Sequence, residues 1–268
     1  WDVAVFHYPA EAKTNYIKRV VGLPGETIRI QHGDLYVKSK DAPDFTIARK
    51  PPEKVQAMLR VVDDTDYVLP DKLLSRGWPA RWQPSNPDGG WQTAEDYKSF
   101  SIDGAASDAP QWLRYRHFVP DQTIWDAVGR ARLASDYHPR PQLISDFCAY
   151  NTTMEQSISG YDPATAGLHW VGDLAVACSI DVRRPSGLVL LELVEGGRRM
   201  QCQLDLASGE AALSISGEAM APKGPTRLHA PGAHTVMFAN VDDQLLLWVD
   251  GKLVKFDAET TFGPLNNH

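Results

Sequence analysis

The sequence has no apolar run long enough to cross a membrane as a helix. In its 268 residues, the apolar runs Leu188–Leu191 and Leu245–Val249 span only four and five positions, whereas a membrane helix needs roughly 20. Short runs of this kind are consistent with buried β-strands. We therefore predict that this chain by itself is soluble, and it is long enough to bury a sizeable core.

Cysteine and positive charge are also scarce. Three cysteines, Cys148, Cys178 and Cys202, have neither the number nor the spacing of a disulfide framework or a metal cluster. Buried thiols are favoured, with a single disulfide as the alternative. Lysine and arginine total 27 against 34 acidic residues, which gives a net charge of −7. Nucleic acids and anionic membranes attract clustered positive charge, so no nucleic-acid partner is predicted.

Patterns typical of metal sites are missing as well. The acidic run Asp63–Asp66 lacks the glycine and the closing glutamate of a calcium loop, and we interpret it as a solvated loop. His229 and His234 stand five positions apart with Pro231 between them, unlike the i, i+4 pair of a zinc-binding helix. No metal and no cofactor are predicted.

The most informative stretch of the chain is Asn15–Glu26. Its β-branched and aromatic residues favour an extended strand, and Leu-Pro-Gly at its end favours a tight turn. Lys18 and Arg19 must point to opposite faces of such a strand, so one of the two cations faces the side covered by apolar residues. A lysine buried beside a second cation loses its proton more easily and can act as a general base. The alternative is an edge strand whose lysine reaches water.

This stretch resembles the lysine-containing motif of type I signal peptidases, which cut leader sequences from exported proteins with a serine–lysine dyad. The match runs over Tyr16–Glu26, and the flanking strands Trp1–Pro9 and Thr27–Val37 are similar to their counterparts in that family. The resemblance covers about residues 1–50. It implies that Lys18 is the general base. It also implies that the supporting residues of the motif are Arg19, Gly22, Pro24 and Gly25.

Two parts of the family pattern are not found in this sequence. The family's nucleophilic serine lies in a Ser-x-Met-x-Pro segment upstream of the lysine, beside a membrane anchor. A downstream Gly-Asp-Asn and Ser-x-Asp-Ser-Arg motif should follow the hairpins. We find neither, which leads to the expectation that the chain is a middle piece of its parent and inactive alone.

Residues 51–133 combine a connector with a tryptophan-rich region. Pro51 and Pro52 can begin a helix whose apolar face carries Val55, Met58, Leu59 and Val62. Beyond about Arg76, five tryptophans lie among turn residues, and a short helix is predicted over Thr123–Leu133. The tryptophans are interpreted as sheet or core cover, with a sugar-stacking platform as the alternative.

The last hundred residues alternate apolar and polar side chains over several short strands. The core-facing sets are predicted to be Leu174, Val176, Cys178, Ile180, Val182; Val189, Leu191, Leu193; Met200, Cys202, Leu204, Leu206; and Val236, Phe238. Leu245–Val249 should pair with Leu253–Phe256 across Asp250-Gly251, a dipeptide typical of type I′ turns. Successive strands with tight turns indicate an antiparallel sandwich or barrel.

The segment Asn240–Lys252 is similar to the penultimate hairpin of laminin-G and concanavalin-like jelly rolls. The predicted fold is therefore mainly β, with few short helices and two parts. Residues 1–62 form a signal-peptidase-like β region with a connector helix. Residues 63–268 form an inserted β-sandwich with core strands at about 76–119 and 143–257.

The resemblance to signal peptidases implies a function for the parent. It would be a serine endopeptidase acting on the leader peptides of exported proteins, held in the cytoplasmic membrane by an anchor outside this chain, with this region on the outer, periplasmic-side face. The alternative is a non-catalytic module whose sandwich binds a glycan or an envelope protein and whose peptidase hairpin is vestigial. A purely structural insert is a third interpretation.

Overall fold

A computed structural model describes residues 1–31, 33–67, 73, 75, 77–103, 109–130, 132–134, 137–145 and 170–263. Within these residues the chain is mainly β, every strand pair is antiparallel, and there are two helices. The predicted fold class is thereby confirmed. Contacts divide the chain into two compact units, Trp1–Leu59 with Asp146–His268, and Arg60–Ser145.

The first unit begins with two small sheets and a helix. The elements are β1 (Val3–Tyr8), β2 (Glu11–Arg19), β3 (Glu26–Gln31), β4 (Asp34–Ser39), β5 (Thr46–Ile47) and α1 (Pro52–Met58). Among the described strands β1 pairs only with β2, and β3, β4 and β5 form a three-stranded sheet. Helix α1 begins at the predicted prolines but ends at Met58. Leu59 and Val62 are therefore outside it and more than 40% exposed.

The described residues of this unit from position 170 onward contain two four-stranded sheets. Their strands are β10 (Leu174–Val182), β11 (Leu188–Glu195), β12 (Arg198–Asp205), β13 (Glu210–Ile215), β14 (Lys223–Pro225), β15 (Gly232–Asn240), β16 (Leu245–Val249) and β17 (Lys252–Leu253). One sheet has the order β10-β15-β16-β17, and the other is the meander β11-β12-β13-β14. Asp250 and Gly251 have φ of +50° and +70°, which confirms the type I′ turn between β16 and β17.

The predicted core-facing sets of both sheets meet in one hydrophobic core. Met200, Cys202 and Leu204 from one sheet and Phe238 and Leu247 from the other are fully buried there. Two sheets that share a core in this way form a β-sandwich. The finer assignment to a jelly roll stays a prediction.

Strand β16 is buried on both faces, which explains its continuous apolar sequence. Leu245, Leu247 and Val249 face the sandwich core. Leu246 and Trp248 face outward and pack in a second cluster with Val55 of α1. A strand covered on both sides has no polar face to present to water, so the alternation seen in its neighbours disappears.

The cysteines differ from one another in burial. Cys202 is fully buried as predicted, and Cys148 lies outside the described residues. Cys178 belongs to the core-facing set of β10 but is exposed, so the prediction of a buried thiol is wrong there. The reason is that β10 is the edge strand of its sheet, where the opposing sheet covers the face only in part.

The described residues of the second unit form short strands and one helix. They are β6 (Trp82–Pro84), β7 (Gln92–Thr93), β8 (Phe100–Ser101), β9 (Leu113–Tyr115) and α2 (Gln122–Gly129). β6 pairs with β9 and β7 with β8. These strands were expected in the sandwich, whose described strands instead all lie between 174 and 253. Runs of two or three residues give them few ladder hydrogen bonds for joining a larger sheet. The 62/63 boundary stays a prediction.

The expectation that the acidic run Asp63–Asp66 is a solvated loop is wrong at Asp63. Its carboxylate accepts hydrogen bonds from the Arg81 guanidinium at 2.6 Å and from the Trp82 indole at 3.1 Å. Its side chain is 14% exposed, so the acidic run is not wholly a solvated loop. Trp78 is buried with Leu73 and Phe118 in a small core, as expected of a tryptophan that covers apolar neighbours.

Candidate functional site

The predicted catalytic lysine lies on the β1–β2 hairpin. The register pairs Ala4 with Lys18 and Phe6 with Tyr16, so these four side chains share one face. The Tyr16 ring stacks on the Tyr8 ring at 4.7 Å between centroids. The Lys18 ammonium lies 6.0 Å from the Tyr16 centroid. Lys18 therefore extends from a small aromatic surface.

Lys18 is exposed to solvent, and the expectation that it is buried is wrong for this structure. The β1–β2 hairpin is a two-stranded sheet on its own. Among the residues that the structure describes, no further strand extends the sheet and no buried cluster includes it. The alternation correctly predicted a strand, but it could not show whether a second layer covers either face.

The supporting residues of the motif shape the backbone at the end of β2 and in the turn that follows. Arg19, on the face opposite Lys18, donates from its guanidinium to the Trp1 carbonyl at 3.2 Å. Gly25 has φ +85°, a conformation that L-residues other than glycine rarely adopt. A Cβ on Gly22 would lie 2.8 Å from the Ile28 side chain. Pro24 occupies the same turn, which closes through a hydrogen bond from the Glu26 amide to the Leu23 carbonyl at 3.2 Å.

The hairpin and its turn expose an unusual amount of apolar surface. Val5, Ile17 and Leu23 are each 65–67% exposed, and Val3 is 52% exposed. Val5 pairs directly with Ile17 and lies two residues from Val3, so these three side chains form an apolar stripe on the face opposite Lys18, and Leu23 lies in the turn after β2. Contiguous exposed apolar stripes are typical of surfaces that another chain segment, a partner or a membrane covers.

A second constellation lies between the connector and the sandwich, and the sequence analysis missed it. The Lys50 ammonium forms ion pairs with Asp173 at 3.3 Å and with Asp242 at shorter range. The Lys50 amide also donates to the Asp242 carboxylate at 2.7 Å. Asp34, at the start of β4, brings a third carboxylate within 4.8 Å of the other two. These four residues are spread over positions 34 to 242, and no local spacing could have joined them.

Burial dominates the electrostatics of this Lys50 cluster. Asp242 is 1% exposed. Burial raises the pKa of Asp34 to about 7, with further contributions from the charges of Asp173, Asp243 and Asp242. Burial also raises the pKa of Asp173, against the opposing effect of Lys50. For Lys50 itself burial acts to lower the pKa, but the two paired carboxylates outweigh it and the pKa is raised.

The three carboxylates have the donor type that hard cations prefer. The Lys50 ammonium, however, already provides a positive charge paired with two of them, Asp173 and Asp242. Neighbouring Asn240 has a buried side-chain oxygen without a hydrogen-bond partner, while its amide donates to Glu195 and to the Gly172 carbonyl. We treat the cluster as an ion-pair network, and the absence of a metal site stays a prediction.

An open cavity of about 570 Å³ lies beside the same connector. Arg49 and Pro52 line one side, and the start of β16 and the chain after this strand line the rest with apolar and hydrogen-bonding side chains. The lining combines apolar side chains such as Leu246 and Phe256 with hydrogen-bonding side chains such as Thr260. Clefts of this size and composition can accommodate small ligands.

One further observation concerns the membrane. Within the described parts of the chain, no helix has the length and the apolar character needed to cross a bilayer.

Comparison with known proteins connects the first of these sites to a family. Residues 1–77 match the sequence model of the family described as "Signal peptidase, peptidase S26". Signal peptidase I of Pseudomonas aeruginosa is 47% identical over 51 residues, which cover 19% of this chain and 18% of that protein. No solved structure gives a significant match.

Two longer alignments extend the similarity. Signal peptidase I of Pseudomonas fluorescens is 29% identical over 150 residues, covering 53% of this chain and 50% of that protein. Signal peptidase I of Bacillus caldolyticus is 35% identical over 99 residues, covering 30% of this chain and 50% of that protein. The chain thus spans at most about half the length of these relatives. The resemblance of the N-terminal region to signal peptidase I is confirmed.

Proposed function

We propose that this chain is the base-bearing part of an enlarged type I signal peptidase, a serine endopeptidase that cleaves leader peptides from exported proteins. The observation that carries the proposal is the match of residues 1–77 to the signal peptidase family, with the lysine motif lying within it. The nucleophilic serine would come from a segment outside this chain, so the chain alone would be inactive. The parent would be anchored in the cytoplasmic membrane with this region on the outer face.

The chemistry assigned to Lys18 needs a neutral amine. The serine hydroxyl transfers its proton to the Lys18 amine as its oxygen forms a bond with the scissile carbonyl carbon. The carbon–nitrogen bond then breaks, and the leaving amine takes a proton back from the lysine. The Lys18 amine then deprotonates a water molecule, and this water releases the acyl group from the serine. The supporting residues Arg19, Gly22, Pro24 and Gly25 would hold the strand and turn, without touching the substrate.

The exposed position of Lys18 is compatible with this role only if something else covers it. In water a lysine amine is almost fully protonated at neutral pH. Packing of the serine segment and of the substrate on the Lys18 face of the hairpin would remove water from around the amine and favour its neutral form. The aromatic surface of Tyr16 and Tyr8 would supply apolar contact for that packing.

The test is cleavage of a leader-peptide substrate by the full-length parent in detergent. We expect Lys18→Ala to lower kcat by about 10²–10⁴-fold, the usual range for loss of a general base. Lys18→Arg should be equally inactive, because a guanidinium does not lose its proton. Lys13→Ala is the matched control, since Lys13 is exposed on the same strand but lies beyond the register shift near the turn of the hairpin. A Lys18→Ala parent that cleaves at the normal rate would exclude the role.

The binding-module alternative draws on the open cavity of about 570 Å³ beside the connector. In that interpretation the cavity would take a glycan or a segment of an envelope protein, through residues such as Gln244 and Thr261. Binding of this chain on a glycan array, lost on Phe256→Ala, would support it. An array without binding, together with Lys18-dependent cleavage by the parent, would favour the peptidase.

A further inference from the structure

The β1–β2 hairpin is attached to the rest of its unit at its N-terminal residues. The Lys50 ammonium lies 5.0 Å from the centroid of the Trp1 ring, within the range of a cation–π contact. The Lys54 ammonium pairs with the Asp2 carboxylate at 2.7 Å. Both lysines belong to the connector formed by residues 48–58. Asp2 also accepts the Val20 amide through its carbonyl at 2.8 Å, so the connector holds both ends of the hairpin.

The same connector is fixed to the sandwich on its other side. Lys50 binds Asp242 through both its amide and its ammonium. The Arg49 side chain donates to the Asp242 carbonyl at 3.0 Å. Val55 is 2% exposed and packs with Trp248 of β16. The turn between β15 and β16 and strand β16 itself therefore form the attachment point for the connector.

We propose that Lys50 is a positioning residue for Lys18, through which the sandwich sets the place of the catalytic hairpin. Its ammonium contacts the Asp173 and Asp242 carboxylates of the sandwich and the Trp1 ring of the hairpin. Lys18 pairs with Ala4, three residues along the chain from Trp1. A strand rises about 3.3 Å per residue, so this contact lies about 10 Å from Lys18. The proposal rests on the function proposed above.

The chemistry of the contact requires a cation at position 50. A methionine of similar length would leave the buried Asp242 carboxylate unpaired and would remove the charge that attracts the Trp1 ring. An arginine would keep the charge, the ion pairs and the attraction to the ring. Displacement of a catalytic group by about 1 Å can cost up to 10²-fold in rate, so loosening at Trp1 should reach the reaction.

The experiment measures amide hydrogen exchange and leader-peptide cleavage on the full-length parent and four variants. We expect Lys50→Met to speed exchange in β1 and β2 by at least about tenfold while β11–β13 exchange as before. We also expect kcat to fall by about tenfold with KM within twofold. Lys50→Arg should restore both. Lys40 is an exposed lysine that precedes the connector in the sequence, and Lys40→Met should change neither the exchange nor kcat.

Trp1→Ala keeps the proposal testable if Lys50→Met does not fold, because it removes the ring and leaves the buried ion pairs intact. It should speed exchange in the hairpin in the same way. Unchanged exchange in β1 and β2 with Trp1→Ala, or failure of Lys50→Arg to rescue, would overturn the proposal. Faster hairpin exchange in a parent that cleaves no leader peptide would refute the proposed function while upholding the attachment.

Discussion

The β1–β2 hairpin and the sandwich are made from the same kind of sequence, yet they differ in what covers them. Val236 and Phe238 of the sandwich are at most 2% exposed, because a second sheet lies against their face. Val5 and Ile17 of the hairpin are 67% and 65% exposed, although they alternate in the same way. Alternation therefore specifies a strand and its faces, whereas burial depends on a partner layer from elsewhere in the sequence.

Because of this difference, the residues that stabilise the fold are separate from those with a proposed role in catalysis. The sandwich buries its inner apolar faces between its own two sheets, and helix α1 covers the outer face of β16. The hairpin carries the proposed base on one face and an apolar stripe on the other, and neither is covered by the residues that the structure describes. Surfaces left open on a folded unit are the ones available to a substrate or to another part of the parent.

The largest expected effect contrasts one residue from each region. Phe238→Ala should lower the free energy of unfolding by about 3–5 kcal/mol, because it empties a fully buried site between the two sheets. Ile17→Ala should change it by less than about 0.5 kcal/mol, because its side chain is already in water. Denaturant titration followed by tryptophan fluorescence measures both. Equal losses would contradict the contrast between the regions.

An intermediate effect is expected at Asp34, where the N-terminal sheet reaches the Lys50 cluster. Its pKa is raised to about 7 in the folded chain, against about 3.9 in an unfolded chain. The folded state therefore holds the proton more tightly, and stability falls as the pH rises from about 4 to about 7. Asp34→Asn should gain roughly 1–2 kcal/mol relative to the wild type between pH 5 and pH 8, after allowance for partial solvent screening.

Denaturation at a series of pH values tests this prediction, with Asp44→Asn as the control. Asp44 is exposed and lies on the loop after β4, so its substitution should shift stability equally at all these pH values. A parallel pH dependence in Asp34→Asn and the wild type would show that Asp34 is ionised without cost. The cluster would then not oppose a third negative charge.

The smallest effect concerns His234, inside the sandwich. Its Nδ1 lies 2.9 Å from the Asp250 carboxylate and its Nε2 lies 2.9 Å from the Ala230 carbonyl. Both partners are acceptors, so both ring nitrogens must donate, and the hydrogen bond to Asp250 raises the pKa of His234. The stabilisation is present below about pH 6.5 and is lost as the pH rises through the raised value.

His234→Gln should accordingly cost about 0.5–1 kcal/mol more at pH 5.5 than at pH 9, since the pair is partly exposed. Thermal unfolding at the two pH values measures the difference. His229→Gln is a comparison substitution on the preceding loop. A cost for His234→Gln that is the same at both pH values would indicate that the ring is neutral when folded.

Local sequence predicted the strands well, because strand faces depend on residues two apart. The core sets around Met200 and Phe238 and the turn at Asp250-Gly251 were identified from such spacing. The resemblance around Lys18 pointed to the family whose sequence model residues 1–77 match. In both cases the information lies within ten or so neighbouring residues.

What the sequence could not predict depends on residues far apart in the chain. Lys50 meets Asp242 across 192 positions, and Asp63 meets Arg81 only after the chain has turned back. The exposure of Lys18 and Cys178 was missed for the same reason, since each depends on whether another layer covers a known face. Tertiary packing decides these points, and no local pattern contains them.

The connectivity of the two sheets has a consequence for the order in which they form. In the meander, each of β11 to β14 pairs with its neighbour in sequence, and hairpins of this kind close in about 1–10 μs. The other sheet requires Val182 to pair with Gly232, which closes a loop that contains the whole meander. Because such closure costs entropy before any contact repays it, we expect the meander and the β15–β17 hairpins to assemble first. Strand β10 then joins last, and the sandwich closes around a sheet that already exists.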